Sequence, residues 1–184
     1  MGYAIAEAAL EAGHSVTLIS GPVSLAPPKE AILISARTSD EMFQAVHRQT
    51  GQCDVLVMCA AVADYKPAAV SPQKIKKRRE PFSLELVPTD DVLSSLTAAR
   101  PFLVIGFAAE TNDLQKNAKK KLREKNCDLI VANDVSRDGV GMESAENEVT
   151  LFFRNGKTKD ISRTSKTNIA RELVKIISKM KKNV

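Results

Sequence analysis

Three stretches of this sequence place chemically competent side chains beside the end of a strand. The first, Cys59–Pro67, reads CAAVADYKP. Its small residues Ala60, Ala61 and Ala63 let a ligand approach the backbone, and Asp64 supplies a carboxylate for a metal–phosphate complex or a ligand hydroxyl. An ordinary connection with a capping Asp is the plain alternative. The second, Ser71–Glu80, reads SPQKIKKRRE. Its crowded positive charges repel one another, so a solvated, mobile loop is expected. Beside a strand-end site such a loop can close over phosphates as a lid, and Lys74 within it could stabilise charge developing as pyrophosphate leaves. The third, Phe102–Asn112, reads FLVIGFAAETN. Here Gly106 permits close backbone approach, and Phe107 offers a ring or main chain to a nucleobase, although core packing is the commoner explanation for such a Phe. The helix that follows puts Lys121 and Lys125 on one face, four residues apart, bordering an apolar row of Leu114, Ala118 and Leu122, from which they can reach phosphates or a base, although two helical lysines alone are usually just solubilising.

Other polar groups carry less. Asn133-Asp134-Val135 closes a strand, and Gly139–Asn147 is a glycine-containing loop in which Glu143, Glu146 and Asn147 need do no more than form turns. His14 and His47 stand apart from other ligand-type residues and read as surface or packing residues.

The elements that must hold these stretches alternate along the chain. An Ala- and Leu-rich helix over Tyr3–Ala12 stops at Gly13. Strands follow at Ser15–Ser20 and Ala31–Ser35, then a helix over Asp40–Thr50 begun by a Ser39/Asp40 cap. Asp54–Cys59 is apolar almost throughout, as expected of a central parallel strand. A short strand at Ser83–Val87 and a short helix at Asp90–Ala99 precede the strand Phe102–Phe107 and a long helix over Asn112–Asn126. Asp128–Ala132 is a strand. Glu148–Phe153 and Lys157–Ile161 form a hairpin across Asn155-Gly156, and an amphipathic helix from Ser165 to about Lys181 closes the chain. This alternation predicts a doubly wound α/β sheet with its sites at the carboxyl ends of the strands. The opening helix and strand call for a preceding strand and phosphate-binding turn, so the expectation is one domain over 1–184 that lacks its first strand.

Composition narrows the function classes. Of 184 residues, 27 are Lys or Arg and 22 Asp or Glu, giving a net charge of +5 concentrated in Lys74–Arg79, Lys116–Lys125 and Lys175–Lys182. With 4% aromatic residues and no Trp there is little material for stacking bases, so a phosphate-rich small ligand is favoured over a nucleic-acid polymer. No apolar run approaches the roughly 18 to 20 residues of a membrane span, and nothing at the start reads as a signal peptide. Cys53, Cys59 and Cys127 form neither a disulfide framework nor a zinc pattern, which favours a reducing cytoplasm.

The segments MGYAIAEAALEAGHSVTLISGP, AAVADYKP, KIKK, GFAAET and ANDVS…GxGM…EN, in this order, resemble the synthetase half of the bacterial bifunctional phosphopantothenoylcysteine decarboxylase/synthetase. The resemblance spans nearly the whole chain. It implies a Rossmann-like α/β/α fold that dimerises in the cytoplasm. It also implies ligation of 4'-phosphopantothenate to cysteine with CTP and a divalent cation, Mg2+ or Mn2+, through an acyl-cytidylate. FMN would be needed only with a decarboxylase domain fused upstream; no nucleic acid or membrane is implied.

Position by position, Lys74 matches the family's lid lysine. Asp64, Phe107, Lys121 and Lys125 match nucleotide-site positions. Thr89-Asp90-Asp91-Val92 stands where the family has a Thr-Pro-Asp-Ile turn at the nucleotide, so Thr89, Asp91 and Val92 join the expected site, with Asp90 in place of the proline. The GMESAEN loop departs from the family's Gly-Ser-Asp version. The family's asparagine-bearing Ser-Ser-Gly-Lys turn lies before the Met-Gly with which this sequence opens, and its catalytic asparagine has no counterpart here.

Two other readings share parts of this pattern. A nicotinamide-dependent oxidoreductase would use the same architecture, but no G-x-G-x-x-G follows a strand and Tyr65 has Ala69 four positions on, not Lys. A nucleic-acid-binding module would use the three basic runs and bind in a strongly salt-dependent way.

Overall fold

The computed structural model describes residues 1–77, 79, 81–97, 99–134 and 144–182. In chain order the elements are α1 Gly2–Glu11, β1 Thr17–Ser20, β2 Ile32–Ser35, α2 Ser39–Thr50, β3 Val55–Met58, β4 Tyr65–Pro67 and β5 Leu86–Pro88. They continue with β6 Leu103–Glu110, α3 Leu114–Glu124, β7 Leu129–Asp134, β8 Glu146–Phe153, β9 Thr158–Ser165 and α4 Lys166–Lys181.

The main sheet has five strands in the order β3-β6-β7-β8-β9. Its first three strands are parallel; β7–β8 and β8–β9 are antiparallel. β6 and β7 alternate strictly between two buried faces, as a period of two requires when both sides are covered. Leu103, Ile105, Leu129 and Val131 meet Ile5 and Ala8 of α1 and Ile169 and Leu173 of α4. Val104, Ala108, Ile130 and Ala132 meet Ala118 of α3 on the other face. Met42 and Val46 of α2 extend that second layer over Leu56 and Met58 of β3. The result is the mixed α/β, three-layer Rossmann-like arrangement expected from the alternation.

Local chemistry explains the element ends. Thr38, rather than Ser39 or Asp40, caps α2: its hydroxyl accepts from the Glu41 amide at 3.1 Å, while Glu41 Oε2 accepts from the Arg37 amide at 2.6 Å. Ser165 caps α4 through the Asn168 amide. Gly156 takes φ 84°, the left-handed conformation the β8–β9 turn requires, and Lys157 N–H donates to the Asn155 side chain.

Four expectations change. Asp54–Cys59 is not a central strand: β3 stands at one end of the main sheet and is half-buried, while β6 and β7 occupy the centre. Among the described residues of Asp90–Ala99 no helix forms. A single turn is closed there by Ser95 N–H donating to Asp91 O, too short to repay helix nucleation on its own. Tyr65–Pro67 is a strand that sequence periodicity did not show, paired antiparallel with β5, which itself begins at Leu86, not Ser83. β1 and β2 form a separate parallel pair, and among the described residues neither β1 nor β3 has a strand on its other edge.

Candidate functional site

β3 ends opposite Gly106, and β6 runs four residues further, so the chain leaving β3 through Cys59–Asp64 passes a projecting length of β6. The antiparallel pairing of β4 with β5 then brings two expected site residues together. Tyr65 pairs with Pro88, which puts Thr89 directly against Asp64. Thr89 N–H donates to the Asp64 carbonyl at 2.9 Å, and Thr89 Oγ1 donates to the Ala63 carbonyl at 2.6 Å. These bonds use the backbone of Ala63 and Asp64 and leave the exposed Asp64 carboxylate outward. Lys66 fastens the same base to α2 through both oxygens of Asp40, at 2.7 and 2.8 Å.

The loop between β4 and β5 carries Lys74, which is exposed. Arg78 and Glu80 of the Ser71–Glu80 segment lie outside the described residues. Several large apolar side chains of the same excursion are also exposed, among them Val70 at 87%, Phe82 at 63% and Leu84 at 56%.

Beyond Thr89 the chain makes its single turn. Asp91 Oδ1 accepts from the Ser94 amide at 2.9 Å, and Lys125 Nζ reaches both Asp91 Oδ2 at 2.5 Å and Ser94 Oγ at 2.9 Å. Partial burial pushes the Asp91 carboxyl up, but the hydrogen bonds from Lys125 and the Ser94 amide outweigh it and hold the group below its ordinary value. Val92 is buried against Met42 and Val46, whereas Leu93 is buried in the cluster that holds Ala118 of α3. Two adjacent side chains therefore wedge the turn between two helices.

Lys121 and Lys125 both face protein acceptors. Lys121 Nζ donates to the Phe107 carbonyl at 2.7 Å. The Phe107 ring packs against the cluster formed with α1 and α4. Gly106 is not a clearing for a ligand. A Cβ there would stand 2.7 Å from Ile130 Cδ1 and 3.2 Å from Cys127 Sγ, so the glycine lets β6 accept its core neighbours.

The structure thus joins Asp64 to Thr89, Asp91 to Lys125, and Phe107 to Lys121, seats Val92 beneath them, and carries Lys74 on the adjoining loop. It also adds residues the sequence did not single out. Ser94 and Ser95 lie in the turn, and His47 of α2 contacts Ser95 Oγ at 2.8 Å. The Asp91-x-x-Ser94 spacing is the one local signal that could have marked the turn; nothing in the sequence links residues 47 and 95. Val135, at the end of the Asn133-Asp134-Val135 segment, and residues 139–143 of the glycine-containing loop Gly139–Asn147 lie outside the described residues. The loop's remaining polar candidates are structurally occupied: Glu146 pairs with Arg163 at 2.9 Å, and Asn147 Oδ1 accepts from the Glu148 amide. His14 contacts Ser178 at 3.0 Å, in keeping with a surface role.

Among the described residues no three His, Cys, Asp or Glu side chains cluster closely enough to hold a metal unaided. A Mg2+ shared with a triphosphate needs only one or two carboxylates and keeps several waters. The exposed Asp64 carboxylate fits that demand; Asp91, already engaged by Lys125, fits it less well. No helix among the described residues is long and apolar enough to cross a membrane.

A mixed α/β sheet with a parallel β3-β6-β7 core and helices on both faces defines a Rossmann-like domain. Residues 1–180 match the family model described as the DNA/pantothenate metabolism flavoprotein C-terminal domain, and the chain belongs to that family. It is 43% identical over 182 residues, 96% of this chain, to the coenzyme A biosynthesis bifunctional protein CoaBC of Vibrio vulnificus (strain YJ016). It is 42% identical over 184 residues, 99% of this chain, to the protein of that name from Bacillus subtilis (strain 168). The chain spans 45% of the length of each of these relatives. Among solved structures, the C-terminal domain of CoaBC superposes with a TM-score of 0.84 at 36% identity, covering all of this chain and 83% of that one. A Cab2 mutant in complex with phosphopantothenate-cysteine shares the fold, with a TM-score of 0.77 at 15% identity over 99% of this chain and 77% of that one. The resemblance drawn from the ordered motifs and these comparisons lead to the same synthetase domain.

Proposed function

We propose that this chain is the ligase domain that joins 4'-phosphopantothenate to cysteine in coenzyme A biosynthesis, with CTP converted to CMP and pyrophosphate. Membership of the family over residues 1–180 carries this reading. The geometry adds to it a clasp between Asp64 and Thr89 at the root of the loop that bears Lys74.

A carboxylate is a poor acyl donor, so it must first exchange an oxygen for a better leaving group. An oxygen of the phosphopantothenate carboxylate attacks the α-phosphorus of CTP, and pyrophosphate departs from that phosphorus. The cysteine amine then attacks the acyl carbon of the acyl-cytidylate, loses a proton, and expels CMP as the amide forms. Lys74 provides positive charge where the triphosphate accumulates it. Asp64 would orient the nucleotide or help hold a Mg2+ (or Mn2+), which would offset phosphate charge when bound. Thr89, Asp91 and Val92 form the wall between them. Lys121 and Lys125, in this reading, shape that wall through Phe107 and Asp91. FMN would be needed only by a decarboxylase domain fused upstream.

We extend the proposal to architecture and setting. A strand inserted between the open edges of β1 and β3 would complete a doubly wound sheet. The exposed apolar side chains of the 65–88 excursion support a homodimer closed through it, and three unpaired cysteines suit the cytoplasm. The decisive assay measures pyrophosphate release by the full-length protein with each of the four nucleoside triphosphates, phosphopantothenate and cysteine. Release that is strongest with CTP and collapses in Lys74→Gln supports the reading; a Lys74→Gln variant as active as the parent defeats it.

A further inference from the structure

The turn over Asp91–Ser95 is gripped from two sides, and one grip is supplied by two side chains outside the expected site, His47 and Ser95. On the α3 side Lys125 holds Asp91 and Ser94. On the α2 side His47 Nε2 lies 2.8 Å from Ser95 Oγ, and Ser95 Oγ donates to the Val92 carbonyl at 2.7 Å. A serine hydroxyl has one proton. Because that proton is given to Val92, the proton between His47 and Ser95 must come from the histidine, which fixes Nε2 as a donor. The three groups form a directed chain, His47 N–H to Ser95 O–H to Val92 C=O, in which each bond polarises the next.

The chain joins a helix to a peptide unit. The Phe43 ring lies 4.4 Å from the His47 ring, centroid to centroid, one turn earlier on α2. That contact restricts the imidazole before the hydrogen bond does. At the other end, the Val92 side chain is 4% exposed and locked among Met42, Val46 and Ala36, so its carbonyl cannot swing freely to a different partner. Upstream, Thr89 is pinned to Ala63 and Asp64. The segment Thr89–Val92 is consequently fixed at both ends, and His47 and Ser95 supply the fixing at the Val92 end.

We propose that His47 and Ser95 are positioning residues for the nucleotide, acting through the Val92 peptide unit. This rests on the reading of Thr89–Val92 as part of a CTP site. Neither side chain touches the ligand in this proposal; each sets the direction of a backbone group that does.

The test uses the full-length protein and pyrophosphate release, with KM measured separately for CTP, phosphopantothenate and cysteine. His47→Ala and Ser95→Ala should each raise the KM for CTP about 3- to 10-fold, the worth of one net hydrogen bond. The KM values for the other two substrates and the melting temperature should stay close to the parent's. His47→Gln carries an N–H donor at the reach of Nε2 and should restore the CTP KM to within about twofold. His47→Asn places its amide at the reach of Nδ1 and should behave like His47→Ala. The inference is overturned if the CTP KM is unmoved in both alanine variants. It is equally overturned if all three KM values and the melting temperature shift together, or if Gln and Asn rescue alike. A parent protein without CTP-dependent pyrophosphate release brings down the functional reading and this inference with it. A CTP-dependent parent matched by its variants removes the inference alone.

Discussion

Lys125, at the carboxyl end of α3, donates to the carboxylate of Asp91 at 2.5 Å, bridging 34 residues of sequence. The pair holds the Asp91 carboxyl below its ordinary value of 3.8. A carboxyl depressed in the folded state contributes stability above its unfolded value and loses it as pH falls through the folded one. Both side chains are partly exposed, so solvent screening keeps the contribution under about 1 kcal/mol. Lys125→Met is expected to lower stability by up to that amount at neutral pH, with the gap to the parent closing as pH drops below 3.8. Urea midpoints at neutral and acid pH measure the gap; a gap that stays constant would show that the pair contributes nothing.

Asp128 is a hub at the start of β7. Its Oδ2 accepts from the Val104 amide at 2.8 Å and from Arg100 at 3.0 Å, and Oδ1 lies 3.5 Å from Arg154 Nε. The Arg100 side chain is only 5% exposed. Asp128→Ala would leave that guanidinium buried without its counter-charge, and a loss of about 3 to 5 kcal/mol is expected in equilibrium unfolding. A loss below 1 kcal/mol, comparable to a surface pair, would contradict this.

Gly106 is set by packing, so Gly106→Ala should destabilise by about 1 to 3 kcal/mol. Ile130 Cδ1, at 2.7 Å from the added Cβ, is the closest obstacle. Adding Ile130→Val deletes that methyl and should recover part of the loss, which a double-mutant cycle on melting temperatures would detect. Additive penalties would place the conflict elsewhere.

Burial raises the Cys127 thiol to about 11, despite the nearby Arg100. At mildly alkaline pH it should therefore remain a thiol and resist alkylation in the native protein, reacting only on unfolding. Half-buried Cys53 should be labelled first. Mass spectrometry of peptides after timed iodoacetamide treatment distinguishes the two, and early labelling of Cys127 would refute the assignment.

Much of the fold was legible because its elements report on themselves. The continuous apolar run Leu103–Ile105, the Asn155-Gly156 turn and the amphipathic stripe of the last helix each encode a local preference that the tertiary structure keeps. The misread segments are those where local preference is weak. Asp90–Ala99 has helical composition but too little length, and side chains from α2 and α3 decide its shape. Tyr65–Pro67 contains no period to read and becomes a strand only because Leu86–Pro88 lies beside it.

By itself the sequence determined the order of the longer strands and helices, the family, and the identity of the residues expected at the site, since these reside in residue type and spacing along one chain. It could not determine which face or partner each received. The tertiary structure alone decided that Lys121 and Lys125 would be occupied by Phe107 and Asp91, that β3 would stand at the end of the main sheet, and that His47 would reach Ser95. The reason is physical: hydrogen bonds act over about 3 Å between groups separated by tens of residues, so their partners are fixed only when packing of the two core faces fixes distance and direction together.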